Sequence, residues 1–357
     1  MQIEIVPVWR FRKHEDDPPM LVMLDFLNEI RATGKITRAA EQAHISYRHA
    51  WNLIEKWSDF FDVPLVERQQ GRGTTLTPFG ERLVWAGQRL QARLMPQLAN
   101  LAQELETEIS QFLPREPATI RMNASHGFAI EKLRELLNHL GQVGIDLRYV
   151  SNETSLVSLS RGECDLAGMH LPQGELRQEA IEASRKWLSP DRHRVISFAT
   201  REMGLMVKRG NPLGLTSVEQ LCDSRIRFVN RDPASGTAHL FSAILAQHDI
   251  DPAAVSGYTQ IEFTHAAVAA YVASGMADAC FGVEAAARQF DLDFIRLVTE
   301  DYFFVCRKEL LETAAMEHIL SVMRSPEFHA AVAALPGYAP VDLGVTKPLA
   351  DVFRSDG

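Results

Sequence analysis

Apolar and polar positions along the chain fall into three regimes. In the run MLVMLDFLNEIRAT (20–33), Leu21, Leu24, Leu27 and Ile30 recur about every three residues, which predicts a helix with one apolar face, stopped by Gly34. A short helix is expected over 36–43, where the small residues Ala39, Ala40 and Ala43 let another helix cross closely. His44, Ile45 and Ser46 read as a tight turn, with Ser46 placed to N-cap a third helix from Tyr47 to about Phe60. Ala50, Leu53, Ile54 and Trp57 mark its buried face, and Trp51 and Trp57 are both expected in the core. Within the stretches 63–68 and 69–77, two short β-runs flank a Gly-Arg-Gly tip and predict a hairpin wing with Arg72 at its apex. Short helix, three-residue turn, longer helix and hairpin make a winged helix-turn-helix.

The second regime is helical in period. Leu83, Leu90, Leu94, Leu98, Leu101, Leu105, Ile109 and Phe112 form a heptad-like stripe, the pattern of a helix that packs on a partner. A dimerisation linker is the favoured reading, and a helix packed on its own chain is the alternative. Pro96 is expected to kink or break the helix, and Pro114 and Pro117 to end it. From 117 onward, short β-rich runs (118–124, 145–150, 165–170, 226–229, 260–265, 279–282) alternate with Ala/Leu-rich helices. That alternation predicts a parallel α/β sheet, whose ligands bind beyond the carboxyl ends of the strands, against helix N-termini.

Composition removes whole classes. The 357 residues are 46% hydrophobic and 23% charged, which excludes global disorder and low-complexity architectures. No apolar run reaches the roughly 18–20 residues of a membrane helix, and the N-terminus lacks the pattern of a secretory signal, so a cytoplasmic chain without membrane contact is expected. The net charge is −9, and only residues 31–80 lean basic, with 7 Lys+Arg against 5 Asp+Glu. The case for nucleic acid therefore rests on motif rather than charge. Cys164, Cys222, Cys280 and Cys306 lie far apart without a CxxC pair, so four buried thiols are expected in place of a zinc site or disulfide framework. The sequence carries no GxSxG, GxxxxGK[ST], HExxH or GxGxxG motif, and DPASGT (232–237) lacks the lysine of a phosphate loop. Neither catalysis nor a cofactor nor a metal is expected.

Particular residues carry a resemblance. Gly34, Ala39, Ala40, Ser46, Leu65, Arg68, Leu76, Thr77 and Gly80 fall in the register of the winged helix-turn-helix of LysR-type regulators. The blocks SYR (46–48) with Ala50 and Trp51, PLVER (64–68) and the extended stretch IVPVWRF (5–11) look closer still to molybdate-responsive regulators of the ModE type, although the wing is shorter and poorer in glycine. GLMVKRGNP (204–212), the turn 230–237 and THAAVAAYVASGMADA (264–279) resemble type 2 periplasmic binding proteins, among them molybdate and tungstate binders, over about 118–335.

The resemblance implies a multidomain fold class: an α-rich winged helix-turn-helix (1–80), a linker or dimerisation helix (81–116), and a two-lobed α/β periplasmic-binding-protein-like domain (117–357). Lobe one would span about 117–199 and 299–357, lobe two about 200–298, with hinges near Thr200 and Thr299. Candidate DNA contacts are Thr37, Ser46, Tyr47, Arg48, His49, Asn52 and Arg72, the arginines suited to guanine or phosphate and Asn52 to adenine. Candidate ligand contacts are Ser125, His126, Thr154, Ser155 and His170 from lobe one, and Arg231, Ser235, Gly236, Thr237, Thr264 and His265 from lobe two. Hydroxyls and helix-terminal N–H groups suit an oxyanion, with His126, His170 and Arg231 adding positive charge; Glu284 would repel an anion if it faced the cleft. The expected function is a sequence-specific regulator sensing a small anion, similar to molybdate or tungstate, or a metabolite such as formate. Its expected partners are a double-stranded DNA operator, the effector, a second copy or three further copies of the chain, and RNA polymerase. A soluble anion-binding module that uses its winged helix for protein assembly is the alternative.

Overall fold

The computed structural model describes residues 3–69, 73–110, 112 and 118–353. It separates into two compact units, Val6–Ala92 and a larger one formed by Arg93 onward together with the residues up to Ile5.

The amino-terminal unit begins with a small antiparallel pair, β1 (Arg10–Phe11) and β2 (Met20–Leu21), so the helix expected from Met20 starts later, as α1 (Leu24–Thr33). Two helices follow, α2 (Ile36–Gln42) and α3 (Tyr47–Phe61), and Ser46 Oγ accepts from the His49 amide to cap α3. Leu27, Ile30, Ile36, Ala39, Ala40, Ala50, Ile54 and Trp57 close one core. Trp57 is fully buried, lies edge-on to Phe26 and donates its indole N–H to Leu21 O at 2.9 Å, so a large side chain leaves no polar atom unpaired. Trp51, expected beside it, is only half-buried. Its ring carries the Arg68 guanidinium at 4.1 Å, because position 51 sits at the edge of the α3 apolar face, next to the hairpin.

That hairpin joins β3 (Val66–Gln69) to β4 (Gly73–Leu76). The Thr74 amide donates to Gly34 O at 2.9 Å, tying the wing to the α1–α2 turn. Gly73 has φ +92° and passes so close to Gly34 O that a Cβ there would sit 2.4 Å from it, so only glycine fits. Arg72 lies outside the described residues.

Next, α4 (Pro78–Ser110) runs unbroken through Pro96, contrary to the break expected there. One missing N–H within 33 residues of helix removes a single backbone bond and leaves the turns on either side intact. Leu101, Leu105 and Ile109 of the heptad stripe are exposed, as is Phe112 beyond the helix.

The large unit is built on one sheet. Its elements in order are β5 (Thr119–Ala124), α5 (Phe128–Leu140), β6 (Gly144–Tyr149), α6 (Asn152–Arg161), β7 (Leu166–Pro172), α7 (Arg177–Arg185), β8 (His193–Val207), β9 (Phe228–Arg231), α8 (Gly236–Gln247), β10 (Ile261–Glu262), α9 (His265–Ala273), β11 (Ala279–Val283), α10 (Glu284–Gln289), β12 (Asp293–Arg307), α11 (Ala314–Met323), α12 (Pro326–Ala333), β13 (Tyr338–Pro340), β14 (Thr346–Pro348) and α13 (Leu349–Val352). Among the described residues the sheet has ten strands, ordered β10-β9-β11-β8-β12-β7-β5-β6, with β13 and β14 also pairing β8.

The sheet is mixed rather than parallel. β5 pairs in parallel with β6 and β7, and β9 with β10 and β11, but the two 15-residue strands β8 and β12 run antiparallel to each other and to their outer neighbours β11 and β7. Each long strand serves both halves, so the parallel βαβ sets lie on either side of a shared antiparallel ribbon. Strand β7 is buried on both faces, as strands covered by helices on two sides are. The four cysteines are unpaired. Cys164, Cys280 and Cys306 are buried as expected, but Cys222 is exposed, at the end of the short 3-10 turn Glu219–Cys222.

Candidate functional site

The two parallel sets end their strands at one place. There Ser125, His126, His170, Arg231, Ser235, Gly236, Thr237 and His265, all expected ligand contacts, line a small cavity of about 20 Å³ together with Asn152, Arg201 and Glu300. The sequence reading missed those last three. Most of the expected residues arrive at a strand end followed by a helix start, β5 into α5, β9 into α8 and β10 into α9, while His170 comes from within β7.

Cations dominate the lining. Arg201, only 3% exposed, directs Nε and Nη2 at Glu300 Oε2 (2.8 and 2.7 Å), while its Nη1 has no partner. Arg231 donates Nη2 to Phe263 O at 3.0 Å; its Nε and Nη1 have none. Burial, with Arg201 nearby, pushes the Arg231 guanidinium down to about 9. Burial also opposes the charge of Arg201, but Glu300 outweighs it and the guanidinium is raised. Two guanidiniums against one carboxylate leave an uncompensated buried positive charge, a strong demand for an anion.

The histidines differ from expectation. His170 is held neutral at neutral pH by burial and by Arg201, and His265 by burial and then Arg231 and Arg201, so neither adds positive charge. His126 is tied to Glu131 at 2.7 Å. His170 Nδ1 meets Asn152 Oδ1 at 3.2 Å, and His265 Nε2 meets Thr237 Oγ1 at 3.4 Å. His170 Nε2 and His265 Nδ1 have no partner. Gly282 leaves the space for His265: a Cβ there would stand 2.9 Å from Nδ1.

Three expected contacts are elsewhere. Thr154 is exposed and bonds Ser151, the α6 cap; Ser155 is buried with its hydroxyl turned back to Ser151 O at 3.0 Å. Thr264 accepts from the Ala267 amide as the α9 N-cap. Thr264 caps its own helix, while Thr154 and Ser155 bond the capping residue Ser151, so all three hydroxyls are used within helix starts. The Glu284 carboxylate pairs with Arg288 at 2.7 Å and is not among the cavity residues; the carboxylate of the cavity is Glu300.

The neutral histidines set a pH dependence. Their folded pKa values lie well below 6.5, so as pH falls through 6.5 the unfolded chain binds protons that the folded chain does not. Stability should therefore drop on acidification, by up to about 1.4 kcal/mol per pH unit for each histidine. Denaturant midpoints of the ligand-free protein from pH 7.5 to 5.5 should fall, and His265→Gln should flatten that fall; a His265→Gln profile parallel to wild type would refute this assignment.

Helix α4 holds both halves of the large unit near this cavity. Asn100 accepts from the Tyr149 amide (2.8 Å) and donates to Tyr149 O (3.1 Å), and the Tyr149 ring lies 4.9 Å from that of His126. Arg93 approaches Glu262 at 3.8 Å and lies over the ring of Phe263, whose carbonyl holds Arg231.

In the amino-terminal unit, Thr37, Ser46, Tyr47, Arg48, His49 and Asn52 are all exposed. Arg68, stacked on Trp51, adds an exposed cation that the sequence reading used only for register. The α3 face carrying Tyr47, Arg48, His49 and Asn52 has the side chains a major-groove helix needs.

Comparison with known proteins bears on both units. A family model described as the PBP superfamily domain matches residues 133–324, more than half of the chain. The chain belongs to the PBP superfamily. A second model, the bacterial regulatory helix-turn-helix protein of the lysR family, matches residues 21–81. The chain thus joins a segment that matches the lysR-family helix-turn-helix to a PBP-superfamily domain. The uncharacterized protein YvgK of Bacillus subtilis is 31% identical over 191 residues, 54% of this chain and 61% of YvgK. The transcriptional regulator ModE of Haemophilus influenzae is 40% identical over 62 residues, 16% of this chain and 24% of ModE. A hydrogen-peroxide-bound OxyR variant of Corynebacterium glutamicum shares 15% identity at a TM-score of 0.46, covering 87% of this chain and 92% of that one. The chain thus spans under two thirds of the length of YvgK and about a quarter of that of ModE. No helix among the described residues is long and apolar enough to cross a membrane, and no described group of three or more His, Cys, Asp or Glu could hold a metal ion.

Proposed function

We propose that this PBP-superfamily chain is a cytoplasmic transcription regulator that reads double-stranded DNA through α3 and changes its DNA binding when a small anion enters the Arg201–Arg231 cavity. The observation that carries the reading is the set of buried guanidinium nitrogens without partners, Arg201 Nη1 and Arg231 Nε and Nη1. Molybdate, tungstate and formate belong to the anion class such a site takes. With His170 and His265 neutral, charge selection rests on the two arginines. A second copy of the chain pairs through the exposed stripe Leu101, Leu105 and Ile109, which gives two DNA-reading units for a two-fold operator. RNA polymerase is the partner through which a bound regulator acts.

On this reading the two contacts of α4 carry the signal. Closure on an anion draws Arg231, and with it Phe263, toward His126. Arg93 and Asn100 sit on those two sides, so closure strains or relaxes α4.

DNA reading is tested on duplexes that the full-length protein selects from a random pool. Arg48→Ala should weaken binding by about 1–3 kcal/mol, roughly 5- to 150-fold, if Arg48 meets a base edge. It should flatten the salt dependence instead if Arg48 meets phosphate. Unchanged affinity and salt slope would remove Arg48 from the interface, and absence of salt-dependent binding to any duplex would favour the protein-assembly alternative.

A further inference from the structure

The anion cavity shares part of its wall with a far larger space. Asn152, His170, Gly236 and Glu300 line both the cavity of about 20 Å³ and an adjoining groove of about 870 Å³. Helices α7 and α8 supply much of the groove lining. Leu156, Leu176 and Trp187 give it apolar surface on one side and Leu240 and Ala243 on the other, with Glu179 and Glu182 among its polar residues. Gln247, which lines the groove, hydrogen-bonds Glu175 and so ties α8 to the turn before α7.

We infer that cavity and groove form one bipartite site, and that its effector is an organic anion whose acid group sits between Arg201 and Arg231, whose body fills the groove, and which carries an O–H or N–H donor beside the acid. This rests on the anion-sensing function proposed above and specifies its ligand.

Volume is the first argument. The cavity of about 20 Å³ has room for little more than one water, which takes roughly 10–15 Å³ on this measure. The groove falls in the range of about 300–1,000 Å³ typical of sites for larger organic ligands. A bare oxyanion would leave it empty. The second argument is the chemistry at the junction. Asn152 Nδ2 donates to His170 O, which fixes Oδ1 as the acceptor facing His170 Nδ1. The neutral ring of His170 then carries its proton on Nδ1 and presents Nε2 as an acceptor, buried and without a partner. Glu300, an acceptor too, lines the same junction. Two acceptors beside two cations suit a ligand that offers both negative charge and a donor. Fully deprotonated molybdate or tungstate offers only the charge.

The test is calorimetric titration of the full-length chain with two series that share a head group: phosphate against a library of phosphate monoesters, and formate against a library of hydroxy- and amino-acids. The tightest organic member should bind at least about tenfold better than its bare head group. Ala183→Trp on α7 and Ala246→Trp on α8, at exposed positions that line the groove, should remove that gain and leave the bare anion's affinity unchanged. Bare anions binding as tightly as every organic member would overturn the inference, as would an organic gain that survives both tryptophan variants. Either result leaves the anion-sensing function standing. Absence of binding by every member of both series would instead defeat that function.

Discussion

An Arg231→Met variant should lose about 100-fold or more in anion affinity while its ligand-free fold stays within about 1 kcal/mol of wild type. Both halves of that expectation come from the same atoms. Arg231 is buried with Nε and Nη1 unpaired, so the ligand-free protein carries the cost of a desolvated charge with little return. Replacing such a charge with an apolar side chain of similar length is often neutral or stabilising; here only the bond to Phe263 O is given up. The bound state loses a charge-assisted contact at a buried site, which costs about 2–5 kcal/mol, and 2.7 kcal/mol is already about 100-fold. Paired calorimetric titrations and denaturant melts check it. A variant that binds anions normally, or one several kcal/mol less stable without ligand, would mean that Arg231 is a structural arginine.

The double variant Arg93→Ala, Asn100→Ala should bind anion and DNA much as wild type does, yet lose the effect of one on the other. Coupling between sites of this kind is worth about 1–3 kcal/mol, so a saturating anion should change wild-type DNA affinity by about 5- to 150-fold. Asn100 makes two hydrogen bonds to the end of β6, and Arg93 meets the β10 side next to the carbonyl that holds Arg231. Removing both frees α4 from the two groups that move when the cavity fills. Fluorescence anisotropy on labelled duplex, with and without anion, reads the coupling directly. Full coupling in the double variant would place the signal on another route.

The amino-terminal unit was legible because its cues are local. Ser46 announces an N-cap, Gly34 a helix stop, and the apolar spacing of Ala50, Ile54 and Trp57 a single buried face. The start of α1 was misread because Met20 and Leu21 fit a helical period but are claimed by pairing with Arg10 and Phe11, a tertiary event. Trp51 packs against the core of that unit as expected but stays half-buried, because its guanidinium partner arrives from β3. In the large unit the strand-end clusters located eight cavity residues, since turns between strands and helices gather at one edge whatever the strand order. Thr154, Ser155 and Thr264 lie outside the cavity lining because their hydroxyls bond within helix starts, which local sequence does not separate from ligand contact.

Arg201 and Glu300 were missed because they sit mid-strand in β8 and β12, far from any turn. A signal was present. Each is a charge within a largely apolar strand, Arg201 in ISFATREMGLMV and Glu300 in IRLVTEDYFFVC, and a charge buried in a central strand needs a partner or a ligand. The mixed sheet escaped notice because a long antiparallel strand shared by two halves has the same apolar content as a parallel one.

The central claim is that an anion completes the Arg201–Arg231 cluster. Thermal unfolding of the full-length wild type and of Arg231→Met, side by side, against molybdate, tungstate, sulfate, phosphate, formate and a library of organic acids and phosphate esters tests it most directly. A ligand at 100 times its dissociation constant should stabilise the wild type by about 2.7 kcal/mol and Arg231→Met by no more than about 0.4 kcal/mol. Stabilisation that persists undiminished in Arg231→Met, or a wild type that no anion in the panel stabilises, would contradict the account.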